Sequence, residues 1–192
     1  MLPLLLASSS PYRRELLGRL NLPFVCASPD IDESHRPQES AVALVKRLAQ
    51  EKAMALAARF PDHLIIGSDQ VAVLGEHILG KPHTFERAAE QLSASSGKSV
   101  SFLTGLALYN SQTGHCQVDC VPFTVHMRQL GTDQISRYLH AEQPYDCAGS
   151  FKAEGLGVSL FRSTEGPDAT SLIGLPLIRL VDMLMNEGVH IP

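Results

Sequence analysis

Ser8-Ser9-Ser10-Pro11 stands between an apolar run, Leu4–Ala7, and a segment of helical spacing that carries Arg13 and Arg14. The first turn of a helix offers free backbone N–H groups and the positive end of its dipole. Hydroxyls at Ser8 and Ser10 add donors, and the two arginines follow within one turn, so this segment can cradle a phosphate. The same spacing also suits a capped helix with two solvated arginines. Lys52 lies on the apolar stripe of a later helix. An ammonium there either snorkels to water or meets an anion. Asp69, in Gly67-Ser68-Asp69-Gln70, is expected just past the apolar strand Leu64–Ile66. Acids at such strand ends hold metals or act as bases, and the competing reading is a turn residue bonding its own backbone. Asp30-Ile31-Asp32-Glu33 supplies further carboxylates. Magnesium takes one or two of these from protein, whereas a solvated acidic loop needs none.

Gly75-x4-Gly80-Lys81-Pro82 nearly spells the phosphate loop of nucleotide hydrolases. Pro82 replaces the hydroxyl that would reach magnesium, and the expected helix is delayed to Thr84, so that reading is rejected. Lys81 remains a candidate point charge for a phosphate. There is no GxSxG elbow, and Ser95-x-x-Lys98 contains Gly97 and reads as a turn. Several cations plus a metal-binding acid suit a polyphosphate substrate. Spacing does not choose the nucleotide.

The elements that must position these groups alternate early in the chain. Leu4–Ala7 reads as a buried strand, with a helix from Pro11 carrying Leu16, Leu17 and Leu20 on its apolar face. Phe24–Cys26 is a second strand and residues 28 to 40 a polar loop. The helix predicted from Ser40 to Arg59 buries Val42, Val45, Leu48, Ala49, Ala53 and Leu56, with Lys52 inside the stripe. Leu64–Gly67 is a strand that Val71–Leu74 continues or pairs with. Thr84 caps a helix to about Leu92. Ser99–Tyr109 and Val118–Arg128 are long strands, and Thr132 caps another helix. Residues 144 to 157 are loop, Val158–Phe161 is a strand, and Pro176 opens a last helix that buries Leu177, Leu180, Val181 and Leu184. Strands and helices alternate first and long strands follow, which predicts a single α/β domain over 1–192 with a mixed sheet.

Composition narrows the classes. With 16 Lys+Arg against 20 Asp+Glu the net charge is −4, which disfavours nucleic acid as a partner. No Trp and 6% aromatics leave little for a stacking surface. No apolar stretch is long enough to span a membrane, and Leu2–Ala7 lacks a basic start and a signal-length core, so a soluble, cytoplasmic protein is expected. Cys26, Cys116, Cys120 and Cys147 form no CxxC pair and read as reduced thiols, and His115-Cys116 with Cys120 would be only half a zinc site.

Leu6-Ala7-Ser8-Ser9-Ser10-Pro11-Tyr12-Arg13-Arg14, Glu33, Gln50-Glu51-Lys52-Ala53, Gly67-Ser68-Asp69, Gly80-Lys81-Pro82, Ala148-Gly149 and Gly174-Leu175-Pro176-Leu177 occur in this order. Together they resemble the Maf family of nucleoside triphosphate pyrophosphatases across nearly the whole chain. The resemblance implies a fold related to inosine triphosphate pyrophosphatases, with an elongated mixed β-sheet flanked by helices and two lobes about a central cleft. It implies hydrolysis between the α- and β-phosphates with a divalent cation, magnesium, manganese or cobalt. By the same resemblance Ser8, Ser10, Arg13, Lys52 and Lys81 hold the triphosphate. Glu33 and Asp69 are the acidic metal positions, with Asp69 as proton acceptor. The role of Arg14 stays open, and a homodimer is a family-level expectation.

Tyr12, Gln70 and Glu154 resemble the YceF-type subfamily, whose members prefer 7-methyl-GTP. Members acting on thymidine and uridine triphosphates carry Arg, Thr and Gln there. Methylation at N7 makes guanine cationic, and a cation prefers the face of Tyr12 to a guanidinium. Glu154 can accept from guanine's N1–H and exocyclic amine and offset the charge. A dTTP/UTP pyrophosphatase is the nearest rival. A non-catalytic regulator of septum formation, the role for which the family was first named, is a rival of another class, and intact Glu33 and Asp69 argue against it.

Overall fold

Leu4–Ala7 is apolar at every position because both faces of the strand it forms are covered. The computed structural model describes Met1–Pro192. In chain order the elements are β1 (Leu4–Ala7), α1 (Pro11–Gly18), β2 (Phe24–Ala27), α2 (Ala41–Met54), β3 (Leu64–Leu74) and β4 (His77–Leu79). There follow α3 (Phe85–Ser95), β5 (Ser99–Asn110), β6 (Cys116–Met127), α4 (Thr132–Glu142), β7 (Phe161–Glu165), α5 (Ala169–Ile173) and α6 (Leu177–Asn186). Short 3-10 turns stand at Ala148–Ser150 and Leu156–Leu160. The strands form one seven-stranded sheet in the order β2-β1-β3-β5-β6-β7, with β4 paired to β3. β1 runs parallel to β2 and β3, while β4 and β7 are antiparallel to β3 and β6, so the sheet is mixed, as the sequence predicts.

The chain divides into two compact units. The first comprises Met1–Gln70, Thr104–Val121 and Asp168–Pro192. Here the two-residue period of a strand sorts the core. Leu4, Leu6, Leu64, Ile66, Leu106 and Leu108 pack with Leu16 and Leu17 of α1 and with Leu177, Leu180, Met183 and Leu184 of α6. Leu5, Ala7, Ile65 and Ala107, of opposite parity, pack with Ala49 and Ala53 of α2. The second unit comprises Val71–Leu103 and Pro122–Pro167. There α3 packs on α4, and the Phe151 ring sits 5.2 Å from both Phe102 and Phe161.

Several expectations shift. Ser40 caps α2, but the helix ends at Met54 rather than Arg59. Ala57 and Arg59 donate instead to Met54 and Leu56, three and not four residues back, which tightens the chain into turns. Its buried face is Leu44, Val45, Leu48, Ala49, Lys52 and Ala53, whereas Val42 is exposed. Gly131, not Thr132, stands at the cap of α4. Residues 158–160 curl rather than extend, because Gly155 and Gly157 both donate to the Lys152 carbonyl, and the strand starts only at Phe161. On α6, Met183 takes the buried place expected of Val181. All four cysteines are free thiols. No helix is long and apolar enough to cross a membrane.

Candidate active site

Two strand glycines set the site. A Cβ on Gly67 of β3 would lie 2.0 Å from the Ala49 carbonyl oxygen of α2, and one on Gly105 of β5 would lie 2.0 Å from that of Val45. Helix and sheet therefore meet backbone to backbone, closer than any side chain permits. Ile65 and Gly67 face α2, and strand alternation puts Asp69 on that same face. Lys52, one turn beyond Ala49, reaches it: Lys52 Nζ donates to Asp69 Oδ1 at 2.7 Å and lies 3.2 Å from Glu33 Oε1. Lys52 and Asp69 are only 7% and 8% exposed, so the lysine does not snorkel. A buried ammonium needs such partners to be tolerated.

Asp69 lies inside β3, not beyond a strand end. The strand continues through Gln70 to Leu74, where β4 pairs with it at Ala72, Val73 and Leu74. Of the two readings the sequence leaves open, Val71–Leu74 continues the strand, although Gly67-Ser68-Asp69-Gln70 is poor strand material. Buried partners override that propensity.

β1 leaves the sheet earlier than its neighbour. Leu6 is in register with Ile66, so the turn after Ala7 departs beside the Ser68–Gln70 stretch of β3. In that turn Ser10 N–H donates to Ser8 Oγ at 3.1 Å, and Arg13 N–H donates to Ser10 Oγ at 3.4 Å. Ser10 is the N-cap and Pro11 opens α1, as predicted. Both hydroxyl oxygens serve as acceptors here, and each hydroxyl also carries a donor hydrogen. Arg13 Nε donates to the Gly174 carbonyl at 2.8 Å. Burial pulls the Arg13 guanidinium below its ordinary value, while the carboxylates of Asp69 and Glu33 oppose this, which places all three in one electrostatic field. Arg14 turns elsewhere, lining a groove with Leu22, Pro23, Phe24, Val25 and Cys26 along β2. Tyr12 is half-buried on α1.

On the opposite face of β3, beyond the apolar Leu64 and Ile66, Ser68 and Gln70 make polar contacts. Ser68 Oγ bonds the carbonyls of Gly105 and Gly174 at 2.9 and 3.0 Å. Gln70 Nε2 donates to Thr104 Oγ1 and to the carbonyls of Ser171 and Leu172. Asp168 caps α5 through Thr170 N–H at 2.8 Å and also accepts from Ile178 N–H of α6 at 2.9 Å. The sequence motifs contain Ser68 and Gly174 without giving either a role, and Thr104 and Asp168 carried no signal as members of this network. The strand glycines were the readable signal that a helix presses on this part of the sheet.

The structure thus brings Ser8, Ser10, Arg13, Glu33, Lys52, Asp69 and Gln70 into the first unit. Glu33 and Asp69 share one ammonium, so both carboxylates reach one point. No group of three or more His, Cys, Asp or Glu is placed to hold a metal ion. That donor set fits magnesium or a similar ion, which takes one or two protein carboxylates and completes its shell with water and phosphate oxygens.

Lys81 and Glu154 belong to the second unit. Lys81 is exposed after the β3–β4 hairpin, whose Gly75 turn confirms that no phosphate loop forms there. Gln91 Nε2 of α3 donates to the Gly80 carbonyl at 3.1 Å, and Gln91 Oε1 accepts from Ser150 Oγ. Glu154 is exposed on the segment that follows. Lys152 N–H of that segment donates to the Tyr138 hydroxyl at 3.0 Å, and Leu156 N–H to Glu142 Oε2 at 2.6 Å. Burial first, then the carboxylates of Asp146 and Glu154, push the Cys147 thiol up to about 12.

Comparison with known proteins shows what the chain is similar to. A family described as Maf-like protein matches residues 3–187. A 7-methyl-GTP pyrophosphatase of Pseudomonas fluorescens (strain Pf0-1) is 81% identical over 192 residues, all of both chains. The one of Pseudomonas aeruginosa is 73% identical over 189 residues, 98% of each chain. That of Alcanivorax borkumensis is 60% identical over 98% of this chain and 96% of its own.

Proposed function

The chain belongs to the Maf family, and on that premise we propose that it is a nucleoside triphosphate pyrophosphatase that converts 7-methyl-GTP to 7-methyl-GMP and diphosphate. The carrying observation is Asp69, fixed by buried Lys52 beside Glu33 where the Ser8–Ser10 turn leaves the sheet. Relatives named 7-methyl-GTP pyrophosphatase, up to 81% identical over the full length, support the choice of substrate.

Arg13 and Lys52 neutralise phosphate oxygens, and the hydroxyls of Ser8 and Ser10 donate to others. Lys81 adds a further charge on the triphosphate. Asp69 accepts a proton as water oxygen bonds to the α-phosphorus. The bond from that phosphorus to its bridging oxygen breaks, and diphosphate leaves with the electron pair. Glu33 and Asp69 would hold the divalent cation, which supplies charge neutralisation to the phosphates when bound. Tyr12 offers its ring to the cationic base and Glu154 accepts from the guanine edge. Gln70 contributes through its amide oxygen, since its nitrogen holds the Ser171–Leu172 carbonyls. We place the enzyme in the cytoplasm, acting on free nucleotides rather than nucleic acid or membrane, and expect a homodimer.

The test is diphosphate release from 7-methyl-GTP, GTP, UTP, TTP and CTP with magnesium, manganese or cobalt. A lead of roughly tenfold or more for 7-methyl-GTP, one pocket contact's worth of discrimination, is expected. A lead for UTP or TTP overturns the base assignment. No release with any metal overturns catalysis and puts a regulatory role first.

A further inference from the structure

Glu33 sits on a stretch, residues 28–40, without helix or strand, and its side chain is 57% exposed. A carboxylate on such a stretch has no regular element to aim it. Yet it meets the ammonium of Lys52, a residue of α2. The reason lies on the same helix, just over one turn earlier.

Arg47 of α2 spends its whole guanidinium on this stretch and on its own helix. Its Nε donates to Glu39 Oε1 at 2.6 Å and its Nη2 to Glu39 Oε2 at 2.8 Å, a two-pronged fork. Its Nη1 donates to Glu51 Oε2 at 3.1 Å. Its Nη2 also donates to the backbone carbonyl of Ser34, the residue after Glu33, at 3.0 Å. Ser34 is held from the other side too, because its N–H donates to Asp32 Oδ1 at 2.9 Å. Arg36 closes the ring: its backbone N–H meets Glu39 Oε2 at 3.1 Å and its Nη2 meets Glu51 Oε1 at 2.9 Å. The Arg47 and Glu39 side chains are 13% and 9% exposed, unlike an ordinary surface pair. Arg47 holds the Glu39 carboxyl down to about 2, so the fork stays ionised at neutral pH.

We infer that Arg47 is a positioning residue for Glu33: by gripping Glu39 and the Ser34 carbonyl from α2, it ties the Glu33 stretch to the helix that carries Lys52. The inference rests on the reading of Glu33 as a site carboxylate. A lysine cannot replace it, since a single ammonium lacks the planar fork that serves Glu39 and Ser34 together. The network adds no group to the reaction; it fixes where one carboxylate stands.

A double-mutant cycle tests this, with turnover of 7-methyl-GTP and the melting curve read for each variant. Arg47→Gln and Arg47→Lys should each lower kcat about tenfold, within the range for directly coupled groups. In a Glu33→Gln background the same changes should alter kcat less than about twofold, because the group they position is already gone. Glu39→Gln, which removes the fork's charge but keeps an acceptor, should show a smaller loss with the same coupling and serves if the Arg47 variants fold poorly. Equal losses in both backgrounds would mean a general structural role and overturn the inference. Wild-type kcat in Glu33→Gln alone would overturn the site reading itself.

Discussion

The Lys52–Asp69 pair and the segment around Glu154 are held in place by different physics. Lys52 rides a fourteen-residue helix and Asp69 an eleven-residue strand, and their side chains are nearly buried. Regular backbone hydrogen bonds and two apolar layers fix them. Glu154 is exposed, and its segment is shaped by turn chemistry: Gly149 and Ser150 both have positive φ, 76° and 66°. Ser150 is a non-glycine in that region and is fully buried, its hydroxyl bonded to Gln91. Such a conformation costs about 1 to 3 kcal/mol and persists only where surroundings enforce it. The Phe151 ring between Phe102 and Phe161, and the Tyr138 hydroxyl on Lys152 N–H, supply that enforcement. On the proposed function, Lys52 and Asp69, which serve any triphosphate, stand on regular elements, whereas Glu154, one of three residues proposed to read the base, stands on a loop.

The largest expected effect breaks the first region alone. Asp69→Asn keeps an amide oxygen for Lys52 and leaves Glu33 as its carboxylate partner, so the chain should still fold, with a lower melting temperature. On the proposed mechanism it removes the proton acceptor, so turnover should drop by about a hundredfold or more, equally for every nucleotide. Turnover across a nucleotide panel, with a melting curve as control, decides it. A loss confined to one base would place Asp69 in recognition rather than chemistry.

Next is the backbone contact beneath that pair. Gly67→Ala puts a methyl 2.0 Å from the Ala49 carbonyl and 3.0 Å from Ala53 N–H, both backbone atoms that cannot swing aside. α2 must lift, at a cost of about 1 to 3 kcal/mol as for other overpacked cores. Lys52 lifts with it, so thermal stability and turnover should fall together. Unchanged stability would show that helix and strand are not locked here.

How much of this could be read from the chain alone follows the same divide. The Ser10–Pro11 helix start and the Leu4–Ala7 strand were legible because caps and apolar runs are local signals. Lys52 stood out because a charge interrupted a periodic stripe. Gly67 was read as the last residue of a strand, and β3 does include it, but not as the point where a helix presses on it, since a strand glycine that admits a helix looks the same as one before a chain break. Runs such as Leu64–Ile66, buried on both faces, carry no alternation to say which residue meets which helix. Arg47 was invisible: its tie to Glu51 has helical spacing, but Glu39 and the Ser34 carbonyl come from an irregular stretch with no period. The curl at residues 156–160 was missed for a related reason, as two glycine N–H groups on one carbonyl leave no apolar pattern.

The smallest effect belongs to the second region. Glu154→Gln exchanges a carboxylate for a neutral amide on an exposed side chain, so the melting curve should not move. Against a cationic 7-methylguanine it loses both charge and one of two acceptors. Against uracil, whose edge mixes donor and acceptor, the amide is a better match. Charge-assisted hydrogen bonds are about twice as strong as neutral ones, so the ratio of kcat/KM for 7-methyl-GTP to that for UTP should fall about tenfold. The fall should come from weaker 7-methyl-GTP use, with UTP turnover kept or raised. If both nucleotides decline in step, Glu154 serves the chemistry, and the division between rigid chemistry and variable reading does not hold for this enzyme.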